Sequence, residues 1–193
     1  LKGQLRASGT GAAQWLEDYG QILKADVHSI AGLVEISGKP CFVKLYYPKS
    51  PLHKLRFTLG GGRPVRSFDA ALALRDRGFA VPRPRACLLL PQGMLLLTQG
   101  IEARGHLARC WRSGLSGGEA GELLCAAGGT LADLHRQGYV HGDCKWNNLL
   151  WDGRRLYLVD LDNAGKVGWR GATPTRAASC GDRTRSPARR PTR

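Results

Sequence analysis

Short apolar runs with partial alternation fill the first hundred residues. "YGQILKADV" (19–27), "AGLVEIS" (31–37) and "PCFVKLYYP" (40–48) each read as a strand, and "SGK" at 37–39 turns the second into the third. Three strands in a row predict an antiparallel meander. The pattern then becomes helical. "RPVRSFDAALALRDRGF" (63–79) sets Phe68, Ala71, Leu72 and Arg75 on one face, with Arg75 and Arg77 in the last turn and Gly78 beyond it. "VPRP" at 81–84 forbids continuation. Two further runs, "ACLLL" (86–90) and "MLLLT" (94–98), flank "PQG" as a hairpin would. Residues 1–101 therefore read as a five-stranded antiparallel sheet with one helix inserted after the third strand. Between strand and helix lies "KSPLHKLRFTLGGGRPVR" (49–66), basic and Gly-rich. It reads as a flexible loop, or as an anion-contacting lid over an acidic sugar or phospholipid.

The second half opens on a capping box, Ser116 with Glu119. Ala120, Leu123, Leu124, Ala127, Leu131 and Leu134 then keep helical spacing, and His135, Arg136 and Gly138 close the helix. Gly128 and Gly129 weaken it by about 1 kcal/mol each relative to Ala. "NLLW" (148–151) and "LYLVD" (156–160) follow as two short strands joined by "DGRR". This second unit, 102–165, is small. Residues 166–193 have no apolar period and predict a basic disordered tail.

Composition sharpens this only in part. The net charge is +14 over 193 residues. From Lys166 to Arg193 there are eight Lys or Arg and one acid, Asp182, so that tail carries +7, half the excess. A single Trp169 interleaves the basic residues there, which argues against a nucleic-acid partner. Six cysteines without a C-x-x-C pair offer neither a metal site nor a disulfide framework, and suggest reduced thiols in a cytoplasmic protein. No apolar run reaches the roughly 18 residues that span a bilayer.

The chemistry concentrates in "YVHGDCKWNNLLWDGRRLYLVDLDNA" (139–164). A hairpin would place Asn148, at the start of one strand, beside Asp160, at the end of the next. Asp143 lies in a loop that can curl back on them. Three oxygen-bearing side chains around one volume suit Mg²⁺ with a nucleotide, because Mg²⁺ takes a few hard ligands and keeps its other places for water and phosphate.

"HGDCKWNN" resembles the H-x-D-x-K-x-x-N catalytic loop of the protein-kinase-like superfamily, and "VDLD" stands where those enzymes carry D-F-G. The form of both motifs looks most like bacterial lipopolysaccharide core kinases, which phosphorylate Kdo or heptose. The resemblance runs from about residue 20 to 165. It implies an α+β, two-lobed protein-kinase-like fold with a reduced helical C-lobe, and ATP and Mg²⁺ as cofactors. It implies that Asp143 orients the acceptor hydroxyl, that Lys145 sits at the transferred phosphoryl group, and that Asn148 and Asp160 hold Mg²⁺. His141 would brace the loop. Lys44 in "CFVKLY" resembles the lysine that meets the α and β phosphates, and the adenine would lie against Thr98, Gln99, Gly100 and Ile101. The implied acceptor is an anionic glycolipid or sugar, met at the inner face of the cytoplasmic membrane. Protein, aminoglycoside- or choline-like acceptors on the same scaffold, and a degenerate nucleotide-binding chain, are the alternatives. The chain departs from the superfamily in three ways. It has no G-x-G-x-x-G, so phosphate cover would fall to amides near His28 and Ser29. Ser67 stands where a helix glutamate would pair with Lys44, with Asp69 two residues on. Few residues follow Asp160.

Overall fold

The computed structural model describes residues 11–167. It opens on a helix, α1 (Ala12–Tyr19), that the strand reading of this region does not include. Three strands follow, β1 (Gly20–Asp26), β2 (Ser29–Ile36) and β3 (Lys39–Tyr46). Strands β4 (Pro84–Leu90) and β5 (Gly93–Gln99) complete an antiparallel sheet in the order β1-β2-β3-β5-β4. The five strands thus fall where the apolar runs place them.

Alternation along β3 and β5 sends side chains to two different cores. Val43, Leu45, Leu95 and Leu97 pack with Trp15 and Leu16 of α1 on one face. Tyr46, Met94 and Leu96 pack with Phe57 on the other. Lys44 belongs to this second face, which borders the cleft.

Two helices, not one, connect β3 to β4. Residues 51–58 form α2 (Pro51–Thr58), started by Pro51 and by Ser50, whose hydroxyl accepts from the His53 amide. The flexible-loop reading of 49–66 is therefore corrected. The triple glycine that suggested a loop makes only the turn between helices, where Gly60 and Gly62 have φ of 72° and 111°. Helix α3 (Arg63–Arg75) buries Ser67, Ala70, Ala71 and Leu74. The face expected through Leu72 is displaced, and Leu72 is exposed.

The C-terminal half has its own core. Leu123, Ala127 and Leu134 of α5 (Gly117–Arg136) pack with Leu149, Leu156, Leu158 and Leu161, and with Ala70, Ala71 and Leu74 of α3. Helix α3 therefore ties the sheet to this lower core. The capping box of α5 forms in both directions between Ser116 and Glu119. The short helix α4 (Leu107–Arg112) precedes it, directly after strand β6 (Gly105–His106). Strand β6 pairs with β8 (Leu149–Trp151), which pairs with β9 (Leu156–Leu158). Strand β7 (Tyr139–Val140) pairs with β10 (Gly165–Lys166), so ordered pairing reaches past residue 165. The rest of the expected tail, from 168, lies outside the described residues. Among those residues five cysteines carry free thiols, and no helix is long and apolar enough to cross a membrane.

Candidate active site

The hairpin β8–β9 fixes the distance between the two acidic loops. Val159 donates its amide to the Asn148 carbonyl at 3.0 Å, which sets the start of one strand against the end of the other. Asp160 follows in the left-handed region at φ 57°, a conformation few non-glycine residues adopt. That turn lifts its carboxylate out of the strand line. The upstream loop is held from behind. His141 is 2% exposed, and its Nε2 meets the Val159 carbonyl at 3.0 Å, so Nε2 carries the proton. Burial pulls the His141 pKa below its ordinary value, and Nδ1 has no partner among the described residues. Gly142 has φ 74°, and a Cβ there would stand 2.2 Å from the Asn163 carbonyl oxygen. Only glycine lets the two loops close on each other at this point.

Asp143 is then gripped from two sides. The Asn148 amide donates to its carbonyl at 2.9 Å and to its carboxylate at 3.1 Å. Lys145 pairs with the same carboxylate at 2.8 Å. The bond from Lys145 is the main reason the Asp143 carboxyl titrates below its usual range, and Asp143 in turn raises Lys145.

Lys44 reaches the site from the sheet. Its ammonium pairs with Asp160 at 2.7 Å and with Asp162 at 3.0 Å. Tyr46, two residues on and on the same strand face, donates its hydroxyl to the other Asp162 oxygen at 2.6 Å. Burial alone would lower the Lys44 pKa, but Asp162 and Asp160 outweigh it and hold it above its ordinary value. Burial, then Asp162, pushes the Tyr46 phenol far upward. The acid that pairs with Lys44 in place of a helix glutamate comes from a loop. Ser67 is buried and Asp69 is exposed, and neither bonds Lys44; the acid that does so is Asp162. Tyr46 is the site residue that motif reading misses. The period of two along β3, which sets it on the same face as Lys44, is the signal that marks it.

Lys44, Asp143, Lys145, Asp160 and Asp162 line one cavity of about 490 Å³. Asn148 is not among the residues that line it; it is 6% exposed, with its amide nitrogen bonded to Asp143. Thr98, Gln99, Gly100 and Ile101 do not line it either. The Gln99 amide donates to the Arg83 carbonyl and the Gly100 amide to the Pro40 carbonyl, so neither is free for a base. The expected phosphate cover also differs. The amides of His28 and Ser29 both bond the Asp26 carboxylate at 2.8 Å, closing a tight turn in place of a glycine-rich loop. The His28 bond first, then the Lys24 ammonium, with the Ser29 bond behind them, hold the Asp26 pKa down to about 2.

The sequence model of the Lipopolysaccharide kinase (Kdo/WaaP) family matches residues 26–173, more than half of the chain. The chain belongs to this family. It is thus a kinase, a phosphotransferase that uses ATP and takes lipopolysaccharide as its acceptor class. A solved structure described as WaaP in complex with acyl carrier protein matches its fold at a TM-score of 0.55 and 20% identity, over 84% of this chain and 69% of that one. No curated protein matches the chain in sequence. The matched span contains Lys44, Asp143, Lys145, Asp160 and Asp162, all of which line the cavity.

Proposed function

We propose that the chain transfers the γ-phosphoryl group of ATP to a sugar hydroxyl of lipopolysaccharide core, on Kdo or heptose, in the cytoplasm at the inner face of the cytoplasmic membrane. The observation that carries this is the convergence of Lys44, Asp143, Lys145 and Asp160 on one cavity from three separated segments of the chain. Asp143, kept ionised by Lys145, accepts the hydrogen bond of the acceptor hydroxyl and aims its oxygen at the phosphorus. Lys145 and Lys44 face the phosphoryl oxygens and offset their charge, each held in place by its aspartate. The base would lie against the backbone of Thr98, Gln99, Gly100 and Ile101, where β5 leaves the sheet.

The donor set fits a magnesium ion. Among the described residues no three His, Cys, Asp or Glu cluster as a protein-only metal centre would require. Magnesium beside a nucleotide needs less, one or two protein oxygens with phosphate and water completing the shell. Asp160 supplies a carboxylate. Asn148 commits its amide nitrogen to Asp143, which leaves its oxygen as the second ligand. When bound, the ion would screen the phosphate charge and act as a Lewis acid on the transferred group.

Four cations of the cavity wall, Lys49, Arg56, Arg63 and Arg66, favour an anionic acceptor over a cationic one such as an aminoglycoside. The test is mass analysis of core oligosaccharide incubated with the protein and Mg·ATP. A gain of one phosphate on Kdo or heptose is expected; an unmodified oligosaccharide under conditions where ATP binds contradicts the substrate assignment.

A further inference from the structure

Helix α2 carries its apolar stripe outward. Leu52, Leu55 and Leu59 recur at i, i+3 and i+7 and so share one face, at 72%, 54% and 77% exposure. The opposite side holds Phe57, buried against Tyr46, Met94 and Leu96. Phe57 also lies under the turn to α3, where a Cβ on Gly62 would come within 2.8 Å of its ring. The helix is therefore clamped to the sheet with its leucines held in the open.

Cations flank that stripe. In the cavity beside it every aspartate is paired: Asp26 with Lys24, Asp143 with Lys145, Asp160 and Asp162 with Lys44. Lys49, Arg56, Arg63 and Arg66 line the same cavity without an ion-pair partner among the described residues, and Lys54 on α2 has none either. Helix stability does not account for Arg63 and Arg66, because the first turn of a helix disfavours positive charge. Arginine forks match phosphate in two-point contact.

We propose that α2 and the first turn of α3 dock the protein on an anionic phospholipid surface. The three leucines enter the boundary between headgroups and acyl chains, and Lys49, Arg56, Arg63 and Arg66 beside them meet lipid phosphates. The mouth of the Asp143 cavity is thereby held at the membrane plane, where a lipid-anchored acceptor presents its sugars. Only that last point rests on the kinase reading. The test vesicles contain no acceptor, so docking and catalysis fail separately.

The experiment is sedimentation of the full chain with phosphatidylcholine vesicles, with and without about a third phosphatidylglycerol. Three proteins are compared: wild type, the charge-preserving triple variant Leu52→Gln/Leu55→Gln/Leu59→Gln, and Arg63→Gln/Arg66→Gln. Wild type is expected on the anionic vesicles only, with each variant bound about tenfold more weakly, and with the leucine variant keeping the wild-type melting curve and Mg·ATP affinity. Undiminished binding by the leucine variant would assign the attraction to charge elsewhere in the chain and overturn the proposal. So would wild type that ignores the vesicles, or leucine substitutions whose only effect is to dissociate a dimer.

Discussion

At the scale of single residues, the feature that most separates this site from its superfamily is the partner of Lys44. The ion pair that usually reaches in from a helix is supplied by Asp162, and Tyr46 locks Asp162 from the far side. Both charged side chains are largely withdrawn from water, so removing one leaves the other poorly compensated. Asp162→Asn is expected to cost about 3 kcal/mol of stability, while Tyr46→Phe, which removes a hydrogen bond and keeps the charges, should cost about 1 kcal/mol. Denaturant melts of both variants check this. A double-mutant cycle with Lys44→Ala should show that the two losses do not add; fully additive losses would mean that the pair does not act as a unit. Lys44 is legible in the sequence from its place on a third strand. Its pairing with a residue 118 positions away is not, because that depends on how the sheet closes over the lower loops.

At the scale of elements, the loop that carries Asp143 and the strand before Asp160 are fastened by one neutral imidazole. His141 is buried without a second partner, so protonating it costs stability. Its folded pKa is depressed below the unfolded value of about 6.5. The unfolded chain therefore binds more protons below that pH, and the contribution of His141 is present above it and lost as pH falls through the folded pKa. Wild type should lose melting temperature between neutral and mildly acid pH more steeply than His141→Gln; parallel curves would refute this. Element boundaries were open to sequence reading where periodicity was clear, as in the five strands and the capping box of α5. They were obscured in two places. Helix α1 runs straight into the strand pattern that begins at residue 19, which masks it, although Ala12, Trp15, Leu16 and Tyr19 keep helical spacing. Three glycines concealed α2, whose start depends on the Ser50 cap and Pro51.

At the scale of the molecule, two cores meet across one helix. Helix α3 packs its alanines and Leu74 on the lower core while its first turn lines the cavity under the sheet. That arrangement makes the cleft a joint property of both halves, and explains why two acids and two lysines converge although they are spread over 116 residues. Thr98, Gln99, Gly100 and Ile101, expected at the base, lie at the end of β5 outside the lining of that cavity, and the engagement of the Gln99 and Gly100 amides follows from strand pairing that the sequence does not display. The central claim is that this convergence performs phosphoryl transfer. Its most direct measurement is single-turnover transfer of labelled phosphate from Mg·ATP to lipopolysaccharide core, comparing wild type with Asp160→Ala and Asp143→Asn. Wild type should label the acceptor, Asp160→Ala should not, and Asp143→Asn should slow transfer by at least about a hundredfold with its fold intact. Transfer at the wild-type rate by either variant would contradict the account.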